Sequence, residues 1–186
     1  PVRFVQTPEI SPDGKKIAFS YDGDLWVVPV AGGSAKRVTN HVAYDGNPVW
    51  SPDGAKLAFA SHRLDNWDVF VIDANGGEAK QLTFDSNTDV PRDWTADGRI
   101  VFETRRGGSE DLWVVGASGG MPVQITHVYN EREALADVSP DGTKIVFNDN
   151  RCTTGWWRRF FRSSDAADIQ IADLISTGSN RNRSST

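Results

Sequence analysis

The chain is poor in the residues that fix a redox compartment or build a metal centre. Its 186 residues hold one cysteine, Cys152, and three histidines. A single cysteine excludes an internal disulfide and leaves the compartment open. No apolar run approaches the ~18 residues of a membrane-spanning helix, and no stretch keeps a helical period. Basic residues are in the minority, with 20 Lys and Arg against 25 Asp and Glu, a formal net charge of −5. The two signs are interspersed and no basic stripe forms, which argues against nucleic acid as a partner. No signal peptide is visible. The chain opens at Pro1 without an initiator methionine, so it reads as a piece of a longer protein. Its last stretch, Ser176 to Thr186, has no apolar residue and is expected to be a disordered polar tail.

What the chain does have is a repeat. Ser-Pro-Asp-Gly occurs at Ser11–Gly14, Ser51–Gly54 and Ser139–Gly142, with a degenerate copy at Thr95–Gly98. Asp13, Asp53, Asp97 and Asp141 stand 40, 44 and 44 residues apart. A fixed period of this size marks an array of one supersecondary unit. After each string comes an alternating run: Lys16-Ile17-Ala18-Phe19, Lys56-Leu57-Ala58-Phe59, Arg99-Ile100-Val101-Phe102 and Lys144-Ile145-Val146-Phe147. Such alternation reads as a half-buried strand. Proline presets φ, aspartate bonds its own backbone and glycine accepts positive φ, so each string joins two antiparallel strands. A second hairpin follows, from Asp24-Leu25-Trp26, Asp68-Val69-Phe70 or Asp111-Leu112-Trp113 through a Gly-Gly turn to a short last strand.

Four strands per unit give one small antiparallel sheet per period. Such a sheet cannot bury both faces alone, and radial stacking of several buries them. The fold class is therefore all-β, a β-propeller, with a regular β-sandwich as the alternative. The propeller segment is expected over 1–175, with blades at about 8–39, 48–83, 91–126 and 136–174, the last lacking a clear fourth strand. Propellers usually have four to eight blades. The chain is thus either a four-bladed ring or, as preferred here, an open arc. An open arc exposes an apolar blade face at each end. Those faces call for the missing remainder of a propeller or for self-association.

Candidate chemistry is thin. Gly116-Ala117-Ser118-Gly119-Gly120 fits a G-x-S-x-G nucleophile pattern. That pattern needs a strand-to-helix elbow, and here it falls on the Gly-Gly hairpin. The repeated turn aspartates read as structural. Arg63, Arg106 and Arg151 each follow the second-strand Phe by four residues, which places them at one end of the propeller. Two readings stand: ion pairs with the next strand's aspartate (Arg63 with Asp68, Arg106 with Asp111), or a ring of guanidiniums able to grip a peptide carboxylate. His41, His62 and His127 are scattered and lack the ligand set of a metal site. Trp26, Trp50, Trp94 and Trp113 sit at repeated strand positions and are expected to pack blades. Trp156 and Trp157, beside Arg158 and Arg159, lie outside the repeat and either pack an inserted loop or form a binding surface for a peptide or protein. No catalytic, cofactor or metal site is expected.

The units resemble the TolB-like propeller repeat: Pro48-Val49-Trp50-Ser51-Pro52-Asp53-Gly54, Ile17-Ala18-Phe19, Asp24-Leu25-Trp26-Val27 and the Gly-Gly turn leading to Leu82-Thr83. Within that group the chain is most similar to the first propeller of tricorn-like serine peptidases. The opening run from Ile10 to Pro29 and the segment from Tyr44 to Arg63 carry this likeness. So does an enlarged fourth unit, in which Asp168 stands 57 residues after Asp111 and the extra residues include Trp156-Trp157-Arg158-Arg159. Gln170 replaces the Trp usual in that unit. The resemblance implies a non-catalytic propeller that gates or guides peptides toward a separate protease domain, in an extracytoplasmic setting. A TolB-like protein-binding scaffold is the alternative. No catalytic residue of the family falls within this chain.

Overall fold

The computed structural model describes residues 4–126, 131–151 and 168–174. The first sheet holds β1 (Gln6–Ile10), β2 (Lys16–Tyr21), β3 (Asp24–Pro29) and β4 (Lys36–Arg37). The second holds β5 (Asp45–Trp50), β6 (Lys56–Leu64), β7 (Asn66–Asp73) and β8 (Lys80–Gln81). The third holds β9 (Asp89–Trp94), β10 (Arg99–Thr104), β11 (Asp111–Gly116) and β12 (Val123–Gln124). The fourth holds β13 (Glu131–Val138), β14 (Lys144–Arg151) and β15 (Asp168–Asp173). Each is an antiparallel meander. The fourth has three strands among the described residues, in line with the expected fourth unit that lacks a clear last strand.

The turns form as their residues require. Asp13 Oδ1 accepts from Ser11 Oγ at 2.6 Å and from the Lys15 amide at 3.0 Å, while Ser11 Oγ accepts from the Lys16 amide at 2.9 Å. Asp53 and Asp141 repeat the pattern. Gly14, Gly54 and Gly142 sit at φ of +69°, +67° and +68°, a region closed to most side chains. The third turn is one residue shorter. Thr95 closes onto Arg99, and the Arg99 guanidinium holds Asp97 at 2.9 Å.

The core lies between sheets rather than within one. Ala18, Leu25 and Val38 of the first sheet pack on Trp50, Leu57, Phe59, Phe70 and Ile72 of the second. Ala58, Val69, Val71 and Leu82 then pack on Trp94, Ile100, Phe102 and Val115. Val101, Leu112 and Val114 pack on Ala136, Ile145 and Phe147. Burying each such Leu or Phe contributes about 1.5–3 kcal/mol, so adjacent sheets stabilise one another. Successive first strands lie side by side, β1 by β5, β5 by β9 and β9 by β13. They therefore face a common axis.

Polar ties lock the first two joints. The Trp50 indole donates to the Glu9 carbonyl, and the Trp94 indole to the Val49 carbonyl, both at 3.1 Å. At the outer rim Lys36 Nζ donates to the Asn75 carbonyl at 2.8 Å and Lys80 Nζ to the Ser118 carbonyl at 2.6 Å. Trp94→Phe removes one buried donor and strands its acceptor. It is expected to cost about 1–3 kcal/mol in denaturant unfolding.

The arc is open. Leu25, Val69 and Leu112 are 0% exposed at one repeated position, whereas Ile169, their counterpart in the fourth sheet, is 72% exposed. Ile171 is 53% exposed where Val71 and Val114 are buried. At the other end Ile10 occupies the position of the buried Trp50 and Trp94 and is itself exposed. No core cluster joins the fourth sheet to the first among the described residues.

Candidate functional site at the crossover end

The Ser-Pro-Asp-Gly and Gly-Gly turns share one end of the arc. The opposite end carries the β2–β3, β6–β7 and β10–β11 hairpins and the blade-to-blade crossovers, and the arginines stand there. Arg63 reaches across β6 to β5, where its guanidinium meets Asp45 Oδ2 at 3.1 Å. Arg106 meets Asp89 Oδ2 at 2.5 Å. Both carboxylates are fully buried. The guanidiniums also lie on aromatic faces, Arg63 at 4.9 Å from the Phe70 ring and Arg106 at 5.1 Å from Phe102 and 5.2 Å from Trp113.

The ion pairs expected with Asp68 and Asp111 do not form. A strand hairpin places the arginine against the first strand of its own sheet, opposite Asp45 or Asp89. Asp24, Asp68 and Asp111 bond the last strand instead. Arg37 holds Asp24 at 2.5 Å, Gln81 holds Asp68 at 3.1 Å and Gln124 holds Asp111 at 3.0 Å. Thr39 and Thr83 add hydroxyl bonds to Asp24 and Asp68, at 3.2 Å each. Burial pushes Asp68 up to about 6, and the nearby Asp89 charge adds to the rise. Burial also holds Asp89 above the usual carboxylate range, opposed by bonds from Thr104, Thr83 and Arg106.

Sequence reasoning missed an aromatic group at this end. β6 and β7 extend beyond the usual strand length, and Asp65 turns them at φ +55°. The longer hairpin brings Trp67 to Tyr44, centroids 5.7 Å apart, and to His62, 5.5 Å apart, both edge-on. Tyr44 Oη donates to Gln6 Oε1 of the first sheet at 2.5 Å. Exposed Val42 and Leu64 flank the group. Spacing gave no signal, since Phe59 to Asp68 and Phe102 to Asp111 span equal lengths; the difference is that β6 and β7 go on pairing to Leu64 and Asn66.

Other candidates resolve simply. Ser118 lies in the β11–β12 turn, where the Gly119 amide bonds the Gly116 carbonyl at 2.8 Å, so the G-x-S-x-G match is a hairpin. His41 Nδ1 accepts from the Ala43 amide at 3.0 Å. Among the described residues no group of three potential ligands could hold a metal. Arg151 ends β14, but its side chain lies outside the described residues, as do His127, Trp156 and Trp157.

Radial antiparallel sheets, copied turn chemistry and a buried arginine–carboxylate tie in the second and third units define an open β-propeller of the TolB-like repeat type. The chain belongs to the tricorn protease N-terminal β-propeller domain family, whose model matches residues 2–182. It is 41% identical over 91 residues to tricorn protease homolog 1 of Streptomyces coelicolor, covering 48% of this chain and 8% of that protein. It is 26% identical over 179 residues to the Tol-Pal system protein TolB of Francisella tularensis, covering 91% of this chain and 38% of TolB. Among solved structures, TolB from Acinetobacter baumannii superposes with a TM-score of 0.71 at 22% identity, covering 91% of this chain and 41% of that one. A puromycin hydrolase superposes at 0.67 and 22% identity, covering 92% and 27%. The chain therefore spans less than half the length of these four relatives.

Proposed function

We propose that this chain is a non-catalytic propeller segment of a tricorn-like serine peptidase whose crossover end receives extended polypeptide. The observation that carries this is the Tyr44–Trp67–His62 group at the lip of the second sheet, with Tyr44 and His62 exposed and Trp67 half-buried, braced on the first sheet through Gln6. Rings packed edge-on along a strand hairpin offer apolar area at little entropic cost. Arg63 and Arg106 belong to the same end. Their charge is largely taken up by Asp45 and Asp89, so their share in binding is to hold the lip in place and to offer residual donors. Arg151, Trp156 and Trp157 join the proposal by their place in the chain. The open end faces belong to it as well: they take the remainder of a propeller, or a second copy when the chain is alone.

Titration with short unstructured peptides, followed by tryptophan fluorescence, tests the lip. Saturable binding is expected, weakened about tenfold or more by Trp67→Ala, in line with loss of an aromatic anchor. Binding that ignores Trp67→Ala would move the site elsewhere. Peptide hydrolysis abolished by Ser118→Ala would overturn the non-catalytic reading. A scaffold of the TolB kind would instead bind a folded protein and ignore short peptides.

A further inference from the structure

The first three sheets close their outer edges in one way. β4, β8 and β12 each pair with the third strand of their sheet through two residues. The next residue, Val38, Leu82 or Ile125, donates its amide to the carbonyl of Leu25, Val69 or Leu112 at 2.8 Å. The threonine after it accepts the amide of that same third-strand residue on its hydroxyl, at 2.9, 2.9 and 3.0 Å. An aliphatic plug and a threonine cap thus satisfy one outward carbonyl and one outward amide. The plug also serves the next joint. Val38 packs with the second sheet, Leu82 with the third and Ile125 with the fourth.

The fourth sheet has the same edge. Ile169 lies opposite Asn148 as Leu25 lies opposite Ser20, so its outward amide and carbonyl match those of Leu25. Among the described residues no strand pairs with β15 on its outer side, and Ile169 is 72% exposed. The chain's own sequence does not carry the matching insert. Plug and cap stand nine and ten residues after Pro29, Asp73 and Gly116. Asp173 pairs with Lys144 as Asp73 pairs with Lys56, and the same count from Asp173 reaches Asn182 and Arg183. An amide or a guanidinium placed in an apolar seam without a partner is costly, and neither residue has the short hydroxyl of the cap.

We propose that the outer edge of β15 is a docking site for an extended segment of another polypeptide, which adds the fourth strand in trans. The segment it takes follows the three inserts: a polar residue, then Val, Leu or Ile, then Thr. Main-chain pairing holds such a strand and the plug selects it. An unpaired edge of this kind is open to a strand from another chain. Once filled, it gives Ile169 the neighbour that Leu25 has in Val38. The edge is a second site and does not rest on the Tyr44–Trp67–His62 lip.

Amide hydrogen exchange at Ile169, followed by NMR on the intact chain, tests the edge. The probe is a synthetic peptide with the sequence of residues 76–85, capped at both ends. At saturation it should slow exchange at Ile169 about tenfold, the worth of one added main-chain hydrogen bond. The same peptide with Leu82→Asp should have no effect. Asn182→Leu with Arg183→Thr in the chain places plug and cap in cis, so Ile169 should be protected without peptide and the peptide should add nothing. Trp67→Ala in the chain should leave the effect intact. An effect that vanishes with Trp67 belongs to the lip and overturns the edge site. A peptide that leaves Ile169 exchange unchanged overturns it too, as does a double variant that neither protects Ile169 nor blocks the peptide. An unaltered chain in which Ile169 is already as protected as Leu25 and Val69 would show the edge filled from within, and would also end the proposal.

Discussion

Arg106→Ala is expected to lower the unfolding free energy by about 3–5 kcal/mol, the range for breaking one side of a buried ion pair. Asp89 is fully buried, and the Arg106 side chain is 12% exposed. Removing the guanidinium leaves a carboxylate without its cation and uncovers the faces of Phe102 and Trp113. Asp89 can respond by protonating, because burial already holds it above its ordinary range. The deficit should therefore be largest at neutral pH and shrink as the medium is acidified. Asp89→Asn with Arg106→Met removes both charges and should recover much of the loss, since an apolar replacement of a buried pair is often neutral. Urea unfolding of the unaltered chain, Arg106→Met, Asp89→Asn and the double variant completes the cycle. A side chain held only for ligand would behave otherwise: Arg106→Ala would leave stability unchanged and alter peptide affinity alone.

The second large effect concerns mass in solution. The isolated chain should associate as its concentration rises, because Ile169 and Ile171 present to solvent what the other sheets bury. Burying one isoleucine is worth about 1.5–3 kcal/mol. Ile169→Lys with Ile171→Lys should therefore weaken association at least about a hundredfold. Sedimentation equilibrium measures this. Ile10→Lys at the other end sorts the geometry. If it weakens association as well, the contact is head to tail, blade four on blade one. If it does nothing, two fourth sheets meet across a two-fold axis. A monomer at every concentration would sink the prediction.

Much of the fold was legible because it is local and repeated. Ser11-Pro12-Asp13-Gly14 and its copies name a turn whose bonds close within five residues, so they need nothing from elsewhere. Alternation after each turn gave the second strands. The arginine partners were not legible from spacing along the chain. Arg63 lies 5 residues from Asp68 and 18 from Asp45, yet it pairs with Asp45 at 3.1 Å. Strand pairing places Asp45 opposite Ser61, and only that register brings the carboxylate under the guanidinium. The aromatic lip was missed for a related reason. Tyr44, His62 and Trp67 occur on a crossover and on both arms of a hairpin, and no motif joins them. The ties of the fourth sheet were not legible either, since the Val138 amide reaches Asp93 Oδ2 at 2.6 Å from 45 residues along the chain.

The ties at the first two joints have a consequence for how such chains arise. Trp50, Trp94, Lys36 and Lys80 all donate to main-chain oxygens. A main-chain acceptor is present whatever residue occupies the position, and the four here are Glu9, Val49, Asn75 and Ser118. Any unit that bears the donor therefore fits any unit that precedes or follows it. A duplicated stretch of gene would dock on its parent from the first generation, before its own side chains had diverged. The fourth unit keeps one such tie, from the Glu133 amide to the Glu110 carbonyl at 2.7 Å. Its other amide bonds run to the Asp93 and Glu103 side chains of one particular neighbour, so a copy of it would fit fewer partners than a copy of the second or third unit.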